Sequence, residues 1–187
     1  MKQILNYLLL FSLLGGIISC TEKKEATTNV IEEVFCDAEH LTSDSSFFIT
    51  DKRLTIAKFN HGERVSNEKA KSGKNSLKLT GDKLFGMAYT IQEVKSGDVF
   101  QIEVWRYCTS KSGKVVVSAE NVDDFYLDSG QPLERNADGW ERLEIKVVVP
   151  IALNGKPLKV NVWNPDKSKV VYFDDLKISL IENSLQK

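Results

Sequence analysis

Three sets of residues in this chain have types and spacings that could support chemistry. The first is Cys20, which closes an apolar run from Ile4 to Ile18 through Ser19, with Lys2 in front of it. A run of about fifteen residues has the length of a secretory h-region and falls short of the roughly twenty that a spanning helix needs. It is the pattern of a bacterial lipoprotein signal, residues 1–19, with the Cys20 thiol as the group that takes lipid. One acyl chain holds a protein to a bilayer marginally, whereas two or three anchor it stably. The second set is acidic: Asp123-Asp124 and Asp174-Asp175 are adjacent pairs. Neighbouring side chains of a strand point to opposite faces, so neither pair is a catalytic dyad by spacing alone. The third set is aromatic and planar-polar. Trp105 and Tyr107 fall on the strand face opposite Ile102 and Val104, with Arg106 and Gln101 nearby, while Trp163, Asn161 and Tyr126 belong to other expected strands. Flat apolar faces flanked by planar polar groups are what recognition of a pyranose ring and its hydroxyls requires.

Other chemistry finds little support. There is no nucleophile elbow, glycine-rich phosphate loop, paired-histidine metalloenzyme helix or kinase-like set. The chain is therefore read as a non-enzyme. A small hydrolase drawing its acid and base from distant strands is the catalytic alternative that spacing leaves open. The charge balance of 25 basic against 26 acidic residues favours neither nucleic acid nor an anionic surface. Cys36 and Cys108 are the thiols left once Cys20 carries lipid, in a compartment where disulfides persist; they either pair or lie buried separately. His40 and His61 are the only histidines, and neither stands at a zinc-site spacing from a cysteine.

The elements that must position these groups are strands. Thr21 to Asn29 is polar and without apolar periodicity, a tether between Cys20 and the body. From residue 30 to 187 the chain reads as one domain of short β-branched and aromatic runs broken by Gly, Asn, Asp and Ser. Alternation marks strands at Asn75–Thr80, from Phe100 through Trp105, from Val115, from Leu143 to Val149, at Val160–Trp163 and at Val170–Leu180. The segment from Asn29 to Glu39 fits a helix or an entering strand. Several short strands at this spacing predict an all-β sandwich. Asp174 has the parity of Leu176 and Ile178, which predicts a carboxylate directed inward, one that needs a cation, a donor network or an exit to solvent. Trp140, after Asp138-Gly139, is expected to be structural.

Several segments follow one another in a recognisable order: Asp37-Ala38-Glu39; Ser66 to Leu79, which reads SNEKAKSGKNSLKL; Val94 to Phe100, VKSGDVF; Val104-Trp105; Gly139 to Leu143, GWERL; and Val171 to Ile178, VYFDDLKI. From about Asp37 to Ile181 the chain resembles the galactose-binding-like jelly roll of many carbohydrate-binding modules. The resemblance implies a jelly-roll β-sandwich of two antiparallel sheets and non-catalytic glycan binding, for which Trp105, Arg106, Tyr107 and Trp163 are the expected contacts. It also implies a structural Ca²⁺ held by Glu39 and Asp174 with a carbonyl near Lys71, and Asp175 as an outer candidate. Calcium suits such a place because it takes six to eight oxygens in loose geometry. Together with Cys20 the resemblance implies a lipoprotein of the Bacteroidetes kind, in the cell envelope at the outer membrane or cell surface. The competing reading is an envelope lipoprotein whose sandwich presents an edge or loop to another protein.

Overall fold

The structure, a computed structural model, describes residues 29–52 and 55–182. The signal segment, Cys20 and most of the tether lie outside the described residues. Two antiparallel sheets face each other. One contains β1 (Val30–Cys36), β4 (Val65–Ser66), β5 (Ser76–Leu79), β7 (Val99–Tyr107), β10 (Pro132–Arg135), β11 (Glu141–Val148) and β13 (Val171–Ile181). Its order is β10-β11-β7-β13-β5-β4, with β1 also beside β13. The other contains β2 (Phe47–Lys52), β3 (Thr55–Asn60), β6 (Phe85–Ile91), β8 (Lys114–Ser118), β9 (Tyr126–Ser129) and β12 (Leu158–Trp163), in the order β2-β3-β6-β12-β8-β9. This is the expected all-β jelly-roll sandwich.

Period-two alternation builds the core. Phe100, Ile102 and Val104 of β7, Leu143, Ile145 and Val147 of β11, and Leu77 and Leu79 of β5 are buried from one sheet. Phe48, Phe59, Val115, Val117, Leu158, Val160 and Val162 meet them from the other. Each such side chain contributes about 1.5–3 kcal/mol through burial. The sheets come so close at Gly86 that an added Cβ would overlap the Leu77 side chain. The segment from Asn29 to Glu39 is a strand, not a helix: β1 runs antiparallel to β13 from Val30↔Ile181 to Cys36↔Leu176. First and last strands therefore lie side by side.

Two expectations change on the coordinates, and the alternative left open for the cysteines is decided. A β-bulge in β13 follows Asp174, which pairs with Trp105 before Lys177 pairs with Glu103, so Phe173 and not Asp174 shares the inner face with Leu176. Asp175 takes φ 51° at this bulge. Asp174 is nonetheless fully buried, covered by the loop before β5. Cys36 and Cys108 do not pair; both are free and buried, and burial pushes the Cys36 thiol far above its ordinary value. Arg106 shares the parity of Ile102 and Val104, so its side chain enters the sandwich with no exposure and cannot touch a ligand in solvent.

Candidate ligand-binding face

Arg106 explains how the sheet edge is held. Its guanidinium pairs with Glu141, with Nε to Oε2 at 3.2 Å, and donates from Nη1 to the carbonyls of Lys111 at 3.2 Å, Gly113 at 2.6 Å and Gly130 at 3.1 Å. Glu141 also accepts from Arg135 Nη2 at 2.5 Å. Burial alone would raise the Glu141 pKa, but the Arg135 and Arg106 hydrogen bonds outweigh it and hold the carboxyl below its ordinary range. The pair is structural. It ties β7 and β11 to the two turns that bracket β8 and β9.

The other expected aromatics lie on opposite outer faces. Trp105 and Tyr107 project from the outer face of the β7 sheet, where the chain's own cations cover them: Lys71 Nζ lies 4.8 Å from the Trp105 ring centroid and Lys69 Nζ 5.0 Å from that of Tyr107. Tyr107 also packs edgewise on Tyr172, centroids 6.3 Å apart, and against Trp140, which is buried as expected. Around Trp105 the charges compensate one another. Glu103 pairs with Arg142 at 2.5 Å and Lys177 at 2.5 Å, and Lys71 pairs with Asp175 at 3.0 Å.

Trp163 belongs to the other face, and here rings and polar groups gather in transverse rows set by register. Trp163 stands between Phe85 of β6 and Lys114 of β8. The Phe85 and Trp163 planes are 9° from parallel with centroids 6.1 Å apart, and Phe85 is 46% exposed. The Arg64 guanidinium holds the Phe85 carbonyl, fixing the start of β6. Lys114 Nζ lies 5.7 Å from the Trp163 ring and 2.9 Å from Asp128 of β9. The next row crosses from Asn161 to Val116 and Asp128, and the third from Thr90 through Lys159 and Ser118 to Tyr126. The Tyr126 hydroxyl donates to Asp128 at 3.0 Å. Val116 and Ser118, on this outer face, are only 4% and 5% exposed, covered by the side chains around them. Asn161 lies opposite Val116, and its Oδ1 is buried without a hydrogen-bond partner.

A third place collects the carboxylates. Glu39 accepts from the amides of Lys74 and Asn75 at 2.7 Å each and from Asn75 Nδ2 at 3.1 Å. Asp174 accepts from the amides of Lys71 at 2.8 Å, Ser72 at 3.2 Å and Asp175 at 2.8 Å. Burial, opposed by these donors and reinforced by Asp175, pushes Asp174 up to about 7. The two expected metal ligands thus grip opposite ends of one short loop. Among the described residues no three His, Cys, Asp or Glu side chains converge as a metal set. The oxygens fit calcium in kind, and the amide donors share them.

No family model matches the chain, and no curated protein does. Solved structures are similar to it. The CBM22-1 xylan-binding domain from Paenibacillus barcinonensis Xyn10C is 15% identical, with 85% of this chain and 100% of that one covered and a TM-score of 0.52. This chain shares that domain's sandwich fold. Family 16 Carbohydrate Binding Module-2 is 20% identical over 61% of this chain and 82% of its own, with a TM-score of 0.44. The Stig cyclase Fisc from Fischerella sp. TAU is 12% identical over 86% and 91%, also with a TM-score of 0.44.

On this sandwich, sequence reasoning had named Trp163, Asn161 and Tyr126 without joining them, and it had missed Phe85, Lys114 and Asp128. A signal for Lys114 existed, since it precedes Val115 and Val117 at outer-face parity. Phe85 gave none. A second bulge, with Val160 on Tyr89 but Val162 on Gly86, breaks the alternation of β6 at Met87, whose φ is 44°.

Proposed function

We propose that the protein is a non-catalytic glycan-binding module carried on a lipid anchor at Cys20, in the cell envelope. The observation that carries the reading is the near-parallel Trp163–Phe85 pair on the outer face of the sheet, half-buried at Trp163 and exposed at Phe85. Rings of this kind cover the apolar side of a sugar. The fold shared with a xylan-binding domain supports it. The carboxylates at described strand positions of this face stand at opposite edges, Asp51 on β2 and Asp128 on β9, where Asp128 is held by Lys114 and Tyr126. Two flanking carboxylates, which hydrolysis of a glycosidic bond ordinarily uses, are not gathered there.

A glycan array with the full chain, repeated with Trp163→Ala and Phe85→Ala, tests the reading. Binding that each variant weakens at least tenfold with the fold retained is the expected result. Binding lost only with Trp105→Ala would move the site to the other sheet, and an array without any bound glycan would end the proposal.

The same proposal includes a structural Ca²⁺ at the carboxylate corner. Glu39 and Asp174 would hold it with carbonyls of the loop near Lys71, and its charge would compensate the buried Asp174 and the adjacent Asp175.

A further inference from the structure

Apart from the glycan reading, we infer a second binding site: the cleft between the sheets at the end where the chain exits takes a small apolar amine, a compact hydrocarbon body carrying one ammonium group. Val34, Phe100, Ile178 and Leu180 line it from the sheet of β1, β7 and β13, and Tyr89 and Ile91 from β6 of the other. Tyr89, Ile91 and Leu180 are half-buried at the edge of the core. The space is about 250 Å³. A cavity of about 150 Å³ lined by aliphatic and aromatic side chains holds benzene, so a body of one ring with a short side chain fits here.

The mouth of the cleft is acidic. Register puts Glu32, Leu180 and Phe100 in one transverse row and Val34, Ile178 and Ile102 in the next. Glu32 therefore has the inward parity of Val34, a carboxylate where alternation calls for an apolar side chain. It is exposed at the rim, and its charge reaches Tyr89 on the opposite sheet, where burial first and Glu32 second raise the hydroxyl above its ordinary pKa. Glu33, Glu93, Lys95 and Asp98 complete the charged lining. Glu33 accepts from the Ser179 hydroxyl at 3.2 Å and Asp98 from the Lys95 amide at 2.8 Å. The carboxylates of Glu32 and Glu93 accept no hydrogen bond and form no ion pair among the described residues. Four carboxylates thus stand against the single ammonium of Lys95. An apolar body in the cleft takes its lining out of water, and an ammonium group left at the mouth meets Glu32 and Glu93. A neutral ligand of the same shape gains the first of these alone, and an anionic one meets repulsion.

Methyl-detected NMR titration of the full chain in phosphatidylcholine nanodiscs, with phenethylamine, phenethyl alcohol and 3-phenylpropionate as probes, tests the site. The amine should shift the methyls of Val34, Ile91, Ile178 and Leu180, the alcohol should bind about fivefold more weakly, and the propionate should leave them in place. Added salt should weaken the amine. Glu32→Gln should lower the amine affinity about fivefold, the scale of one exposed ion pair, and leave that of the alcohol unchanged, a split that altered folding would not produce. Glu93→Gln should act in the same direction. Leu180→Trp fills the cleft and should remove both ligands; should it fail to fold, the exposed Glu32 and Glu93 variants carry the test. Equal affinity for amine and alcohol would overturn the inference, as would an amine affinity that survives Glu32→Gln combined with Glu93→Gln. So would shifts confined to other methyls, or cleft methyls that no probe moves up to its solubility limit. Each of these results leaves the glycan reading standing, since that rests on the Trp163 face.

Discussion

Asp174 is the residue whose chemistry is most sensitive to what surrounds it. Its ordinary pKa is 3.8 and the fold raises it to about 7, so between these values the folded chain holds a proton that the unfolded chain releases. Stability without a bound cation is therefore fullest below about pH 4 and falls as pH rises toward 7, by on the order of 4 kcal/mol. A calcium ion at the same oxygens replaces that proton and removes the decline. Melting curves of calcium-stripped and calcium-saturated protein from pH 4.5 to 7 should diverge steadily; superimposable curves would dispose of the ion. Glu141 has the opposite sign of shift and a partner that cannot be replaced. Glu141→Gln leaves the Arg106 guanidinium buried without its counter-charge, which costs about 3–5 kcal/mol, or a fall of roughly 10 °C in Tm by calorimetry. Arg106 also shows a limit of sequence reading. Its even-numbered parity with Ile102 and Val104 already placed it inside, but a charged side chain is expected outside unless it is paired. The partner, Glu141, is 35 positions away.

Among the elements, the strands that could be read were those with unbroken alternation and hydrophobic inner residues: β5, β7, β8, β11, β12 and β13. Those that escaped had a physical reason to escape. In β9 and β10 nearly every side chain is exposed, so no apolar face marks them. The bulge at Met87 puts Gly86 and Tyr89, three residues apart, on the same inner face, and period two fails. The bulge after Asp174 does the same in β13, which is why the inward carboxylate was expected on the wrong parity although it is indeed buried. Gly86 is the test of how tightly β6 must pack. Gly86→Ala forces its new methyl against Leu77 and should cost about 1–3 kcal/mol in a denaturant titration. Leu77→Val in the same chain should recover part of that loss, a coupling that a double-mutant cycle reads directly.

For the molecule as a whole, the architecture was legible because it depends on hydrophobic order along the chain, whereas the site was legible only in part because it depends on which outer face stays uncovered. Trp105 and Trp163 look equivalent as letters. The loop before β5 brings Lys71 over one of them, whereas the lysine beside the other, Lys114, comes from the neighbouring strand and Phe85 stands parallel to that ring. The topology also fixes where a force would travel. Asn29 and Glu182 are hydrogen-bonded to each other where the chain leaves the described fold, and Val30 opposes Ile181, which opposes Val99. That end also contains Val94, bonded to Lys156 just before β12, and β12 runs from there to finish at Trp163. Rings and chain exit thus stand at opposite ends of the sandwich. A pull between residue 29 and a polymer on the Trp163 face would run lengthwise along β1, loading its ladder with β13 in shear, so that its bonds must fail together and not one after another. A strand with a single neighbour is thereby arranged to bear tension.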